Sequence, residues 1–155
     1  MPEGNPTGVV YGIILVGALM AAESGHHESY LDMIASAVVA TVAYWLLHAY
    51  SSVLGTRLAT GGSLNVRALW MSLVSEWAIV KGAAIPMLAL LLAWATGAAQ
   101  ETAVTAALWS AVAGIVAFEL AAGIRSHASA GELALQVGVG ATMGIAILAL
   151  RSLLL

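Results

Sequence analysis

Residues 66–95 read VRALWMSLVSEWAIVKGAAIPMLALLLAWA, a run in which only Arg67, Glu76 and Lys81 carry charge. So long an apolar stretch predicts a membrane-spanning helix, because the hydrocarbon core of a bilayer takes about 20 mostly apolar residues, roughly 17 to 25. The run does not alternate polar and apolar residues as a barrel strand would. A helix also satisfies every backbone N–H and C=O within one segment, which lipid demands. The run exceeds what a bilayer requires, so it is expected to tilt, to kink near Pro86 or to extend beyond the lipid.

Four further runs of the same kind lie at about residues 7–24, 30–54, 102–124 and 133–153. The first, at about 1.5 Å per residue, reaches roughly 27 Å, short but sufficient. It is read as a span rather than a signal peptide, since Glu3 is the only charge before it and no basic stretch is present. Ser29 with Asp32, and Ser129 with Glu132, have the spacing of capping boxes at the starts of the second and fifth runs. Thr60-Gly61-Gly62-Ser63 and Gly97-Ala98-Ala99-Gln100 mark turns. The expected fold is an all-α, polytopic transmembrane bundle of five spans in one domain covering residues 1–155, with antiparallel neighbours joined by short loops.

Composition agrees. Of 155 residues, 61% are hydrophobic and 8% charged, and the mean hydropathy is +0.97. Too few polar groups remain to cover a water-soluble globule, and the chain is too apolar to be disordered. The net charge of −3, without a basic block, gives a nucleic-acid partner no electrostatic support. The absence of cysteine excludes disulfides, thiolate metal sites and cysteine nucleophiles. Arg57, Arg67 and Arg125 fall at one end of the five-span arrangement, and Glu23, Glu28, Asp32 and Glu101 at the other. The positive-inside rule then places the N-terminus inside, with Arg151 as the one dissenting charge. A bacterial cytoplasmic membrane is the expected location.

Two GxxxG steps, Gly8/Gly12 in the first run and Gly140/Gly144 in the fifth, let helix backbones approach closely, within one protomer or across a dimer face. Five helices enclose little volume, so a homo-oligomer is expected if the protein forms a water-wide pore.

Four ionisable residues stand apart from the helix ends: His48, Glu76, Lys81 and Glu119. A charge at the bilayer centre costs about 2.5–3.5 kcal/mol on insertion scales, so such groups usually face the bundle interior and find partners there. Counting from the arginines, His48 and Glu76 each lie roughly 13 Å deep and Glu119 roughly 9 Å. Lys81 sits about 7 Å beyond Glu76, within reach of its long stem. Tyr44 and His48 share a helix face, as do Ser72 and Glu76, and Trp77 and Lys81. The four residues are read as an ion pathway or as a buried polar network that fixes helix register.

A second cluster, Glu23-Ser24-Gly25-His26-His27-Glu28-Ser29 with Asp32 following, joins the first two spans at the expected outer surface. Glu23, His26, His27, Glu28 and Asp32 offer ligands suited to zinc or another divalent metal, although the spacing matches no HExxH motif. A solvated polar turn is the ordinary explanation for them, with a pH-sensitive permeation mouth next and a metal site last. No cofactor is required by any motif: nucleophile elbow, P-loop and dinucleotide fingerprint are all missing.

Residues 9–24 (VVYGIILVGALMAAES), 44–58 (YWLLHAYSSVLGTRL) and 132–141 (ELALQVGVGA) resemble a family of small, uncharacterised multi-pass membrane proteins from bacteria. The resemblance implies a membrane protein and no particular activity. The leading expectation is permeation or transport of a small ion, with the proton the most natural candidate. The alternatives are a small membrane enzyme with a metal or acid–base site at the outer turn, and an accessory subunit without its own activity.

Overall fold

The computed structural model describes residues 6–23, 29–61, 63 and 65–154. All its regular structure is helical: α1 (Pro6–Glu23), α2 (Tyr30–Thr60), α3 (Val66–Ser75), α4 (Trp77–Ala95), α5 (Gln100–Arg125) and α6 (Ala130–Leu154). Helices α3 and α4 are two arms of one span. Tyr30–Thr60, Val66–Ala95, Gln100–Arg125 and Ala130–Leu153 are each long and apolar enough to cross a membrane, and α1 is a shorter apolar helix beside them. The protein is thus a multi-pass helical membrane bundle.

Local chemistry sets the helix ends. Asp32 N–H donates to Ser29 Oγ at 3.2 Å while Ser29 N–H donates to the Asp32 carboxylate at 3.4 Å, closing the capping box of α2. Ser129 N–H donates to Glu132 Oε2 at 2.8 Å, with the reciprocal contact at 3.4 Å, at the start of α6. Asn65 Oδ1 accepts from Ala68 N–H at 2.7 Å and caps α3. Two helices end in the same Schellman turn, in which two amides past the helix bond back to its last carbonyls. Gly97, φ 74°, does this for α4, with Gly97 N–H on Trp94 O and Ala98 N–H on Ala93 O. His127, φ 52°, does it for α5, with His127 N–H on Ile124 O and Ala128 N–H on Gly123 O. Glycine suits the left-handed position, whereas a histidine there carries a steric penalty.

α1 is the hub, packed against α2, α4, α5 and α6. Lipid tails are as apolar as leucine, so spans gain little from apolar burial and associate through close packing of small residues. α1 supplies these on several faces. A methyl built on Gly12 would overlap the Ile79 carbonyl and come within 2.6 Å of Ala83 N, and one built on Gly82 would overlap the Val9 carbonyl. The backbones of α1 and α4 therefore touch, running in the same direction. Gly17 faces Ala111 and Ile147 at 3.3 Å. On the far side, Gly140 lies against Ile115 and Glu119, and Gly144 against Val112, joining α6 to α5. Both GxxxG steps are occupied by contacts within the chain. The core these contacts enclose includes Ile13, Val16, Met20, Leu90, Leu108 and Ile115. Leu47, Leu92, Leu135 and Ile145 remain outside as apolar surface for lipid.

The interruption of the third span departs from expectation. α4 runs unbroken through Pro86, which is buried, and the span breaks at Glu76 instead. Glu76 has φ −85° and ψ 4°, between the helical and extended regions. Its carbonyl accepts from Ile79 N–H at 3.0 Å, a tighter link than the α-helical one.

Candidate functional site

The break carries the most buried charged side chain among the described residues. Glu76 is enclosed between the helices, and its Oε2 lies 3.7 Å from His48 Nε2 of α2. The Glu76 side chain is 9% exposed and the His48 side chain 33%.

Three helices place the pair. Tyr44, one turn before His48, stacks on the imidazole with ring centroids 5.8 Å apart and planes 22° apart. Tyr11 of α1 meets both rings edge-on, at 5.6 Å from His48 and 6.4 Å from Tyr44. Because Tyr11 follows Gly8 and precedes Gly12, the close α1–α4 crossing is what brings its ring to this depth. Two side-chain bonds lock α2 to α3. The Trp45 indole N–H donates to the Leu73 carbonyl at 3.0 Å, and the Ser72 hydroxyl donates to the Ala49 carbonyl at 2.9 Å. Leu73 lies in the last turn of α3, where carbonyls begin to lose helical partners, so the indole takes up part of the deficit. Trp45 also meets Trp77 edge-on at 5.2 Å, one residue past the break.

The chemistry follows from charge balance. With the proton on His48, the pair is imidazolium and carboxylate; with it on Glu76, imidazole and carboxylic acid. Both arrangements are net neutral, so either leaves no unbalanced charge in low dielectric; at 3.7 Å the two atoms are too far apart for direct transfer, and a proton passes between them only through a bridging water or on closer approach.

The other expected members lie elsewhere. Lys81 is exposed on α4, and among the described residues it forms neither an ion pair nor a stack with Trp77. Glu119 is half-buried on α5, and its methylenes lie against Gly140. Among the described residues, no ion pair or hydrogen bond joins it to His48, Glu76 or Lys81. Of the acidic histidine turn, Glu23 ends α1, and the Asp32 carboxylate is engaged by Ser29. His26, His27 and Glu28 lie outside the described residues. Among the described residues no three His, Asp or Glu side chains converge as metal ligands.

Spacing alone pairs Tyr44 with His48 and Ser72 with Glu76. It does not reveal Tyr11, Trp45 or Trp77 as parts of one site. Tyr11 had a signal, being the only aromatic residue in an otherwise aliphatic first run. Compared with protein-family models, curated proteins and solved structures, the chain matches none, so its resemblance to a family of small bacterial membrane proteins has no counterpart there and the site stands on its own geometry.

Proposed function

We propose that this multi-pass membrane protein conducts protons, with His48 and Glu76 as the groups that hold the proton in transit. One observation carries the reading: a buried carboxylate at a break in a membrane-spanning helix, 3.7 Å from an imidazole that is itself one-third exposed. Ionisable residues within spans mark proton relays and ion paths often enough to make this the default reading. Broken helices within a membrane are tolerated where they line a cavity or a substrate site. The proton is favoured over a metal cation because one carboxylate and one imidazole form a proton-exchanging pair but not an oxygen cage. In this reading the acidic histidine turn at residues 23–28 serves as the opposite mouth.

Proteoliposomes with a pH gradient test it. Glu76→Gln preserves the side chain's shape and removes its titration, and His48→Ala removes the exchanging partner. Each is expected to lower proton flux by about tenfold or more, while Lys81→Gln leaves it unchanged. Flux by the native protein no greater than in empty liposomes overturns the proposal.

A further inference from the structure

One turn from the pair, α2 and α3 line a groove of about 240 Å³. Its polar lining is Ser52, Thr56, Arg57, Thr60, Ser63 and Ser72. Three of these repeat every fourth residue on α2, continuing the i, i+4 series that begins with Tyr44 and His48; at about 40° of drift per step this polar stripe winds around the helix from its middle to its end. On the opposite wall, Ser72 lies one turn below Glu76. Both walls therefore lead, in one more turn or about 6 Å, to the two members of the pair.

The hydrogen bonds of the lining give the groove a direction. Thr60 donates to the Thr56 carbonyl at 2.8 Å, Thr56 to the Ser52 carbonyl at 3.0 Å, and Ser72 to the Ala49 carbonyl at 2.9 Å. The hydroxyl hydrogens of Thr56, Thr60 and Ser72 are committed to backbone, which leaves their oxygens free to accept. Arg57, at the wide end, offers only donors. Acceptors along the wall and donors at the mouth suit ordered water, and the volume holds several molecules. Among the described residues no acidic side chain lines the groove, so the Arg57 charge at its mouth opposes entry of any cation, hydronium included, but not of neutral water.

We infer that the α2–α3 groove is an aqueous half-channel, open at the Arg57 end of the bundle and closed at Ser72, that brings water to within one helical turn of His48 and Glu76. This rests on the proton-binding role of the pair for its purpose, but the hydration of the groove is a separate fact with its own measurement. The native chain lacks cysteine, so single-cysteine variants of the full-length protein report directly. Ser52→Cys, Thr56→Cys and Ser72→Cys are reconstituted and treated with a charged, membrane-impermeant methanethiosulfonate, with silver ion as the smaller probe for Ser72→Cys. Leu47→Cys, on the lipid-facing side of α2, is the control.

Thiolate forms only where water reaches, so the groove variants are expected to react about tenfold faster than Leu47→Cys, and only from the Arg57 side. Rates equal to that of Leu47→Cys, or equal from both sides, overturn the half-channel. If Ser72→Cys fails to fold after losing its bond to Ala49, Ser52→Cys and Thr56→Cys still decide. One-sided labelling without proton flux upholds the half-channel and removes the transport reading. Flux without labelling overturns the half-channel and leaves transport standing.

Discussion

Replacing Gly12 with alanine separates packing from propensity in this bundle. The added methyl would overlap the Ile79 carbonyl and stand 2.6 Å from Ala83 N, where ordinary contact begins at 3.4 Å. The atoms it meets are backbone, so no side chain can rotate away. α1 must withdraw from α4 by about 1 Å, and a gap of that size forfeits roughly a quarter to a half of each dispersion contact along the crossing. Overpacking of this kind costs about 1–3 kcal/mol, and Gly12 belongs at the upper end because Gly8 and Gly82 lose their contacts together. Gly55 provides the opposite case. It lies inside α2 with nothing within 4 Å of an added methyl, so Gly55→Ala is expected to stabilise by about 0.5–1 kcal/mol through helix propensity alone. Reversible unfolding in detergent micelles, followed by circular dichroism, measures both. The withdrawal of α1 also carries Tyr11 away from His48, so Gly12→Ala should lower proton flux although it removes no ionisable group. A Gly12→Ala variant as stable as the native protein would refute the direct backbone contact and the placement of Tyr11 that follows from it.

Other variants address single features. His127→Gly relieves the left-handed backbone at the end of α5, and is expected to stabilise by about 0.5–1 kcal/mol after the extra freedom of the unfolded chain is subtracted; a fall in melting temperature would contradict it. Ser129→Ala removes the cap of α6 and should cost about 1 kcal/mol in the same unfolding assay. Trp45→Phe keeps most of the ring packing but removes the donor to the Leu73 carbonyl. A loss of about 0.5–1.5 kcal/mol is expected, with faster amide exchange at the break between α3 and α4. In the flux assay, combining Glu76→Gln with His48→Ala should reduce transport no further than either change alone, because one proton-exchanging unit has been removed in each case.

Much of the architecture is legible in the chain because its causes are local. The five apolar runs declare themselves by length, and the serine–carboxylate pairs at residues 29 and 32 and at 129 and 132 act across one helical turn. The site is less legible. Four embedded ionisable residues stand out, but only His48 and Glu76 meet. Which residues meet depends on how each helix is rotated about its axis, and an apolar span in lipid carries little amphipathic signal to report that rotation.

The break shows the limit most clearly. Pro86 is the local candidate, yet α4 passes through it, and the interruption falls at Glu76, a residue type with good helix propensity. By itself the sequence determined a membrane bundle, the capped starts of α2 and α6, and the short list of groups that need partners in lipid; α2 runs on to Thr60, beyond the end expected near residue 54. Tertiary structure alone decided that α1 lies at the centre, that Glu76 faces His48, and that Lys81 and Glu119 stand aside. The physical reason is that helix ends are set by bonds within a few residues. Helix facing in a membrane is set by close contacts between distant glycines and their neighbours, with no hydrophobic gradient to record them in either segment.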